Sequence, residues 1–122
     1  MHNLLIVDDS QEMLDMISLI YSRRNIFIMK ATGSEQVYSN LQRMTPDLIL
    51  MDVLLDNNED GRAICKEIKS DSRYKDIPVI LMSGSGELLA DHKDNLANDT
   101  IEKPFTLESV LSKVKKHVRQ KD

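Results

Sequence analysis

The sequence has no tryptophan, a single cysteine and only two phenylalanines in 122 residues. A lone cysteine, Cys65, excludes an internal disulfide and fits a reducing compartment such as the cytoplasm. No apolar run approaches the roughly 18 residues that a membrane-spanning helix requires, so no membrane contact is expected. The opening residues, MHNLLIVDDSQ, turn acidic after one short apolar run. They carry neither a basic stretch nor a long apolar core, so no secretory leader is expected. The formal net charge is −4, which argues against direct nucleic-acid binding, because such binding depends on neutralising phosphates. The basic run KVKKHVRQK suits the C-terminal end of a helix better than a DNA patch. His2, His92 and His117 are scattered, and no two have the spacing of metal ligands on one helix face. With aromatics this scarce, methionines such as Met13, Met29, Met51 and Met82 read as adaptable core filling.

What is present is an alternation of two periodicities. Short apolar runs of strand length stand at residues 3–7 (NLLIV), 26–31 (IFIMKA), 47–52 (DLILMD) and 79–83 (VILMS), with a weaker one in TIEKP. Helix-period segments lie between them. Residues 11–24 carry Met13, Met16, Ile17 and Ile20 on one stripe, with Ser10 as the cap. The next helix carries Val37, Leu41 and Met44 and is closed by Pro46. The third places Ile64 and Ile68 on one face. A short helix is expected within ELLADHKDNLAND. The last, over residues 106–120, carries Leu107, Val110, Leu111, Val114 and Val118, with Thr106 and Ser109 as capping candidates. Five βα repeats predict an α/β protein, a doubly wound five-stranded parallel sheet with helices on both faces, spanning residues 1–122 as one domain. Near-continuous apolar strands agree, since strands buried on both faces need not alternate.

In such a sheet, ligands bind beyond the carboxyl ends of the strands. Those ends carry Asp8 and Asp9 after the first strand, Asp52 after the third, Ser83 after the fourth and Lys103 after the fifth. With strand order 2-1-3-4-5, the first and third strands are neighbours, and three carboxylates meet in one pocket. Mutual repulsion calls for a cation there. Mg²⁺, which takes one or two carboxylates and water, is the natural partner. Lys103 adds a point charge and Ser83 a hydroxyl, a set suited to a phosphoryl ligand.

The blocks LLIVDDS, LILMDV, ILMSG and EKPF together resemble the signature of receiver domains of two-component response regulators, over essentially the whole chain and in order. The resemblance implies a (βα)5 flavodoxin-like fold and a cytoplasmic, bacterial phosphorelay switch rather than an enzyme. Asp52 would accept a phosphoryl group from a histidine kinase or phosphotransfer protein. Asp9 would ligate Mg²⁺ directly, Asp8 more weakly or through water, and the Leu54 backbone carbonyl would add an oxygen. Ser83 and Lys103 would contact the phosphoryl group. The Lys103–Pro104 bond would be cis. An unidentified output protein would read the phosphorylated surface of a monomer or weak dimer.

Three departures from the family pattern stand out. Thr100 occupies the position, three residues before the lysine, where the family usually carries an aromatic switch residue. Asp56 replaces a usual proline. Gly61 comes one residue later than usual after Asp52, so the intervening loop is longer and more acidic, which reads as a surface insertion. Thr100 keeps open a second reading, a receiver-fold interaction module that does not switch. A third arises because Asp56, Asn58, Asp60, Gly61 and Glu67 match the spacing of a calcium-binding loop. That loop needs an entering helix, whereas the preceding residues read as a strand.

Overall fold

The computed structural model describes residues 2–118. Its strands are β1 (His2–Val7), β2 (Ile26–Ala31), β3 (Leu48–Asp52), β4 (Val79–Ser83) and β5 (Asp99–Glu102). Its helices are α1 (Gln11–Ile20), α2 (Ser34–Arg43), α3 (Gly61–Lys69), α4 (Gly86–Leu89) and α5 (Leu107–His117). All strand pairings are parallel, and the order is β2-β1-β3-β4-β5. The expected sheet is therefore the observed one.

The apolar strands divide their side chains between two faces, because successive residues of a strand point oppositely. Leu5, Val7, Ile49, Met51, Val79 and Leu81 pack with Val37, Leu41, Ile64 and Ile68, under α2 and α3. Leu4, Ile6, Leu48, Leu50, Ile80 and Met82 pack with Leu14, Ile17, Val110 and Val114, under α1 and α5. Every residue of β3 and β4 is buried, which is why both read as solid apolar runs.

Several boundaries differ from expectation. The first helix stops at Ile20 rather than at residue 24, because residues 21–24 tighten into turns closed by Ser22 N–H to Leu19 O and Arg24 N–H to Tyr21 O. Met16 is exposed, and Leu14 takes the core position beside Ile17. Met44 lies beyond α2 in extended backbone and is also exposed. Only four residues of the segment after β4 are helical, and a chain of turns follows to Leu96. Leu107 opens α5 in solvent, while Val110 and Val114 hold the core. The Thr106 hydroxyl caps α5 by accepting from Ser109 N–H at 3.1 Å. Of the expected last helix, residues 119 and 120 lie outside the described residues.

The loop from β3 to α3 is a built structure. Leu55 N–H donates to Glu59 O at 3.1 Å, and Glu59 N–H donates to Asp56 O at 3.2 Å. Asn57 and Asn58, at φ 62° and 60°, make the reversal, a backbone region asparagine tolerates better than most residues. The Glu59 carboxylate accepts from Ser34 N–H at 3.0 Å and from the Ser34 hydroxyl. It thereby caps α2, whose own cap residue, Gly33, has no side chain to offer.

Candidate functional site

β1, β3 and β4 end at the same side of the sheet, and their last residues open one acidic pocket. Asp8 follows Val7 and is 1% exposed, Asp52 ends β3 at 7%, and Ser83 ends β4 at 3%. These are buried polar groups in an otherwise apolar layer. Oxygens of Asp8, Asp9 and Asp52 all lie within 4.8 Å of one another. Asp9 is exposed, so it faces solvent at the mouth while Asp8 forms the floor. Lys103 reaches in from the end of β5, with Nζ 3.1 Å from Asp8 Oδ2 and 3.5 Å from Asp52 Oδ2. The Lys103–Pro104 peptide is cis. The other Asp8 oxygen, Oδ1, accepts from Ser10 N–H at 2.9 Å.

Burial pushes the pKa of Asp52 up to about 6, with repulsion from Asp8 adding to it, Lys103 opposing it and Asp9 adding a smaller push. Asp52 is thus an anion held at a cost, close to one ammonium and two further carboxylates. Oxygens around one Mg²⁺ at its usual ligand distance span at most about 4.2 Å. The three carboxylates come near that spacing, and an all-oxygen anionic donor set fits a hard divalent cation. The pocket can therefore hold such a cation and present one carboxylate as a nucleophile.

The other expected residues fall around this group. The Ser83 hydroxyl accepts from Ser85 N–H at 3.0 Å, and Ser83 O accepts from Lys103 N–H at 2.8 Å. Leu54, two residues beyond Asp52, is 62% exposed and is bridged to Asp60 as an isolated antiparallel pair. Thr100 sits on β5, and its carbonyl accepts from Lys113 Nζ. Asp56 is exposed, and the Asp9 charge acts on it. Partial desolvation raises its pKa, and so do a hydrogen bond to Asp9 and the repulsion between them. The family resemblance singled out Asp56 as standing where a proline is usual.

The calcium-loop reading is not supported. A strand, β3, enters the loop instead of a helix. Both Asp60 oxygens are engaged by Arg62, in contacts of 2.7–3.2 Å, and Asp60 caps α3 through Arg62 N–H. Among the described residues, the only carboxylate group arranged for a metal is Asp8, Asp9 and Asp52. Cys65 is fully buried, and burial pushes its thiol up to about 12, so it is a packing residue. Among the described residues, no helix is long and apolar enough to cross a membrane.

Comparison with known proteins agrees with this geometry. The family model described as the response regulator receiver domain matches residues 4–115. The DNA-binding dual master transcriptional regulator RpaA of Synechocystis is 28% identical, over 100% of this chain and 51% of its own length. The phosphate regulon transcriptional regulatory protein PhoB of Escherichia coli is 28% identical, over 96% of this chain and 52% of its own. The chain thus spans about half the length of the curated relatives it matches. The signal receiver domain of a signal transduction histidine kinase from Syntrophus aciditrophicus superposes with a TM-score of 0.87 at 26% identity, covering 100% of this chain and 96% of that one. The receiver domain of NtrX from Brucella abortus gives 0.85 at 26% identity, with 93% and 96% covered.

Proposed function

The chain belongs to the response regulator receiver domain family, whose members are signalling switches rather than classical enzymes, and from that premise we propose that Asp52 is its phospho-acceptor. The observation that carries the proposal is the position of Asp52: buried at the end of β3, 3.5 Å from Lys103 Nζ and beside Asp8 and Asp9. An Asp52 oxygen attacks the phosphorus of a phosphohistidine on a histidine kinase or phosphotransfer protein. The P–N bond breaks, its electron pair stays on the imidazole nitrogen, and an acyl phosphate forms. Catalysis of this kind is positioning plus charge stabilisation. Lys103 supplies a positive charge already in place, and the buried Asp8 holds that ammonium at 3.1 Å. Mg²⁺ held by Asp8, Asp9, Asp52 and the Leu54 carbonyl would neutralise the oxygens of the transferring group. Water later returns Asp52 to the free carboxylate, so self-phosphorylation and self-dephosphorylation are at most weak activities.

Ser83 reports the modification. Its hydroxyl accepts from Ser85 N–H. Turning to donate to a phosphoryl oxygen ends that bond and draws the 83–85 segment, which leads into α4. Added charge and acceptor oxygens bias such two-state elements. The output is a contact with a cytoplasmic partner protein. We assign no direct nucleic-acid contact to this domain, whose net charge is −4. Thr100 favours the second reading, a receiver-fold module that binds without switching, because a threonine cannot act as an aromatic rotamer switch.

The test is incubation with acetyl phosphate and Mg²⁺, read by intact mass, and with beryllofluoride, read by amide spectra. One added phosphoryl group, absent in Asp52→Asn, together with amide shifts spreading from Ser83 to Leu89, is expected. Modification without shifts beyond the pocket would favour the non-switching module. No response to either reagent would remove the acceptor reading altogether.

A further inference from the structure

β2 is an edge of the sheet and pairs with β1 alone. His2 N–H donates to Asn25 O at 3.4 Å, and Asp8 N–H donates to Ala31 O at 3.0 Å. Between these two bonds the strands stay in register. In a parallel ladder, the main-chain groups of alternate residues face the neighbouring strand. Phe27, Met29 and Ala31 therefore turn their main chain to β1, while Ile26, Ile28 and Lys30 turn theirs to the open edge. Two of these outward groups are satisfied locally. Ile26 N–H donates to Arg24 O at 2.7 Å, and Lys30 O accepts from the Asn40 side-chain amide of α2 at 3.1 Å. Among the described residues, nothing meets the others: Ile26 O, Ile28 N–H, Ile28 O and Lys30 N–H.

The side chains beside this edge are largely apolar. A groove of about 360 Å³ runs along residues 27–30 against Asn40, Arg43 and Met44. Phe27 is 45% exposed and Met44 42%. Sheet edges are commonly protected from pairing by shortness, charge or proline. β5, the other edge, has four residues, two of them acids. β2 has six residues and a single charge, Lys30, which faces Asp15 of its own chain at 3.7 Å.

We propose that the edge of β2 is the contact between two copies of this chain, paired antiparallel about a two-fold axis at Ile28. In an antiparallel ladder, opposed residues exchange both hydrogen bonds at every second position. Centred on Ile28, each Ile28 N–H donates to Ile28 O of the other copy, and each Lys30 N–H donates to Ile26 O of the other copy. Every open group of both strands is then used. The next bonds in that register would join Ile26 N–H to Lys30 O, the two groups already satisfied within the chain. A register shifted either way leaves open groups unmatched, so the pattern singles out a second copy in this alignment. The same axis sets Phe27 opposite Met29 of the other copy, on the face where the groove lies, and the exposed ring covers apolar surface there. The contact is isologous. It is small, so association depends on concentration.

The experiment is sedimentation velocity on the full chain, without a phosphoryl donor, over a range of concentrations, with amide exchange read in parallel. A monomer–dimer equilibrium is expected, with exchange at Ile28 and Lys30 slowing as concentration rises. Lys30→Pro removes an outward N–H, and proline is tolerated where an edge strand faces solvent. It should weaken dimerisation about tenfold or more, because two hydrogen bonds are lost per dimer. Lys30→Thr keeps the N–H and should dimerise as wild type does, which separates main-chain pairing from loss of the lysine charge. Phe27→Lys, at an exposed position, should weaken dimerisation while leaving the monomer folded. A chain that stays monomeric at every concentration would overturn the proposal. So would a dimer equally tight in Lys30→Pro and Phe27→Lys, because another face would then be holding it.

Discussion

Gly61 passes so close to Asp52 that a Cβ at residue 61 would lie 2.0 Å from the Asp52 carbonyl oxygen and 2.9 Å from Met51 Cγ. Gly61 N–H also donates to Val53 O at 2.7 Å. The first residue of α3 is thus pressed against the backbone that carries the acceptor carboxylate. The contact is with main chain, which has no rotamer to change, so relief requires α3 to move.

Gly61→Ala is accordingly expected to destabilise the protein by about 1–3 kcal/mol, the usual cost of overpacking. It should also shift the amides of Asp52 and Val53. Urea unfolding together with amide spectra measures both. Wild-type stability with unmoved amides at residues 52 and 53 would mean that the approach is looser than described.

Asp52 links this geometry to pH. Its pKa is raised from 3.8 to about 6, so the folded protein holds a proton that the unfolded chain releases between those values. The stabilising contribution is complete below pH 3.8 and is lost as pH rises through about 6. At pH 7.5, without metal, ionised Asp52 therefore destabilises the fold. Asp52→Asn should be more stable than wild type there by about 1–3 kcal/mol, with the difference shrinking toward pH 4. Urea midpoints in chelator-containing buffer decide it, and a gain that grows on acidification would contradict the sign.

How much of this was readable in advance depends on the range of the interactions. β2 and β4 fall where their apolar runs stand, although only β4 is buried along its whole length, while β2, at the sheet edge, buries Met29 and Ala31 alone. Asp8, Asp9, Asp52, Ser83 and Lys103 were legible as a group because parallel topology places all strand ends on one side. Met16 and Leu107 fit the apolar spacing yet lie exposed, since helical spacing does not say which of two adjacent stripes faces the sheet. Leu14 won the position beside Ile17 for that reason. The Glu59–Ser34 cap was hidden, because it depends on how a seven-residue stretch, Leu54 to Asp60, folds back on itself. The dense asparagines and acids that suggested a calcium loop are explained by that reversal, which needs left-handed backbone at Asn57 and Asn58.

Glu59 is expected to organise α2 from a distance. Its hydrogen bonds with Ser34 hold its carboxyl below the usual range, so the cap operates throughout neutral pH. Glu59→Ala should speed amide exchange at Ser34–Val37 and lower Tm, while leaving exchange in α5 unchanged. Hydrogen exchange read residue by residue makes the comparison. Uniform acceleration across the protein, or none, would mean that Glu59 is not a local cap.

The tie between β5 and α5 gives the clearest acid signature. Asp99 Oδ1 meets Lys113 Nζ at 3.0 Å, its Oδ2 meets His117 Nε2 at 2.8 Å, and Thr100 N–H donates to it at 2.8 Å. Burial alone would raise its pKa, but the His117, Thr100 and Lys113 hydrogen bonds outweigh burial and hold Asp99 at about 2. A depressed carboxylate contributes stability that is present above its unfolded value of 3.8 and lost as pH falls through about 2. Asp99→Asn should therefore cost about 1–2 kcal/mol at pH 7, discounted for its partial exposure. The gap from wild type should close between pH 4 and about 2. Because Lys113 also binds the Thr100 carbonyl, the variant should loosen the strand that carries the missing-aromatic position, seen as faster amide exchange at Thr100 and Ile101. A stability gap that persists unchanged at pH 2 would show that Asp99 acts through packing and not through its charge.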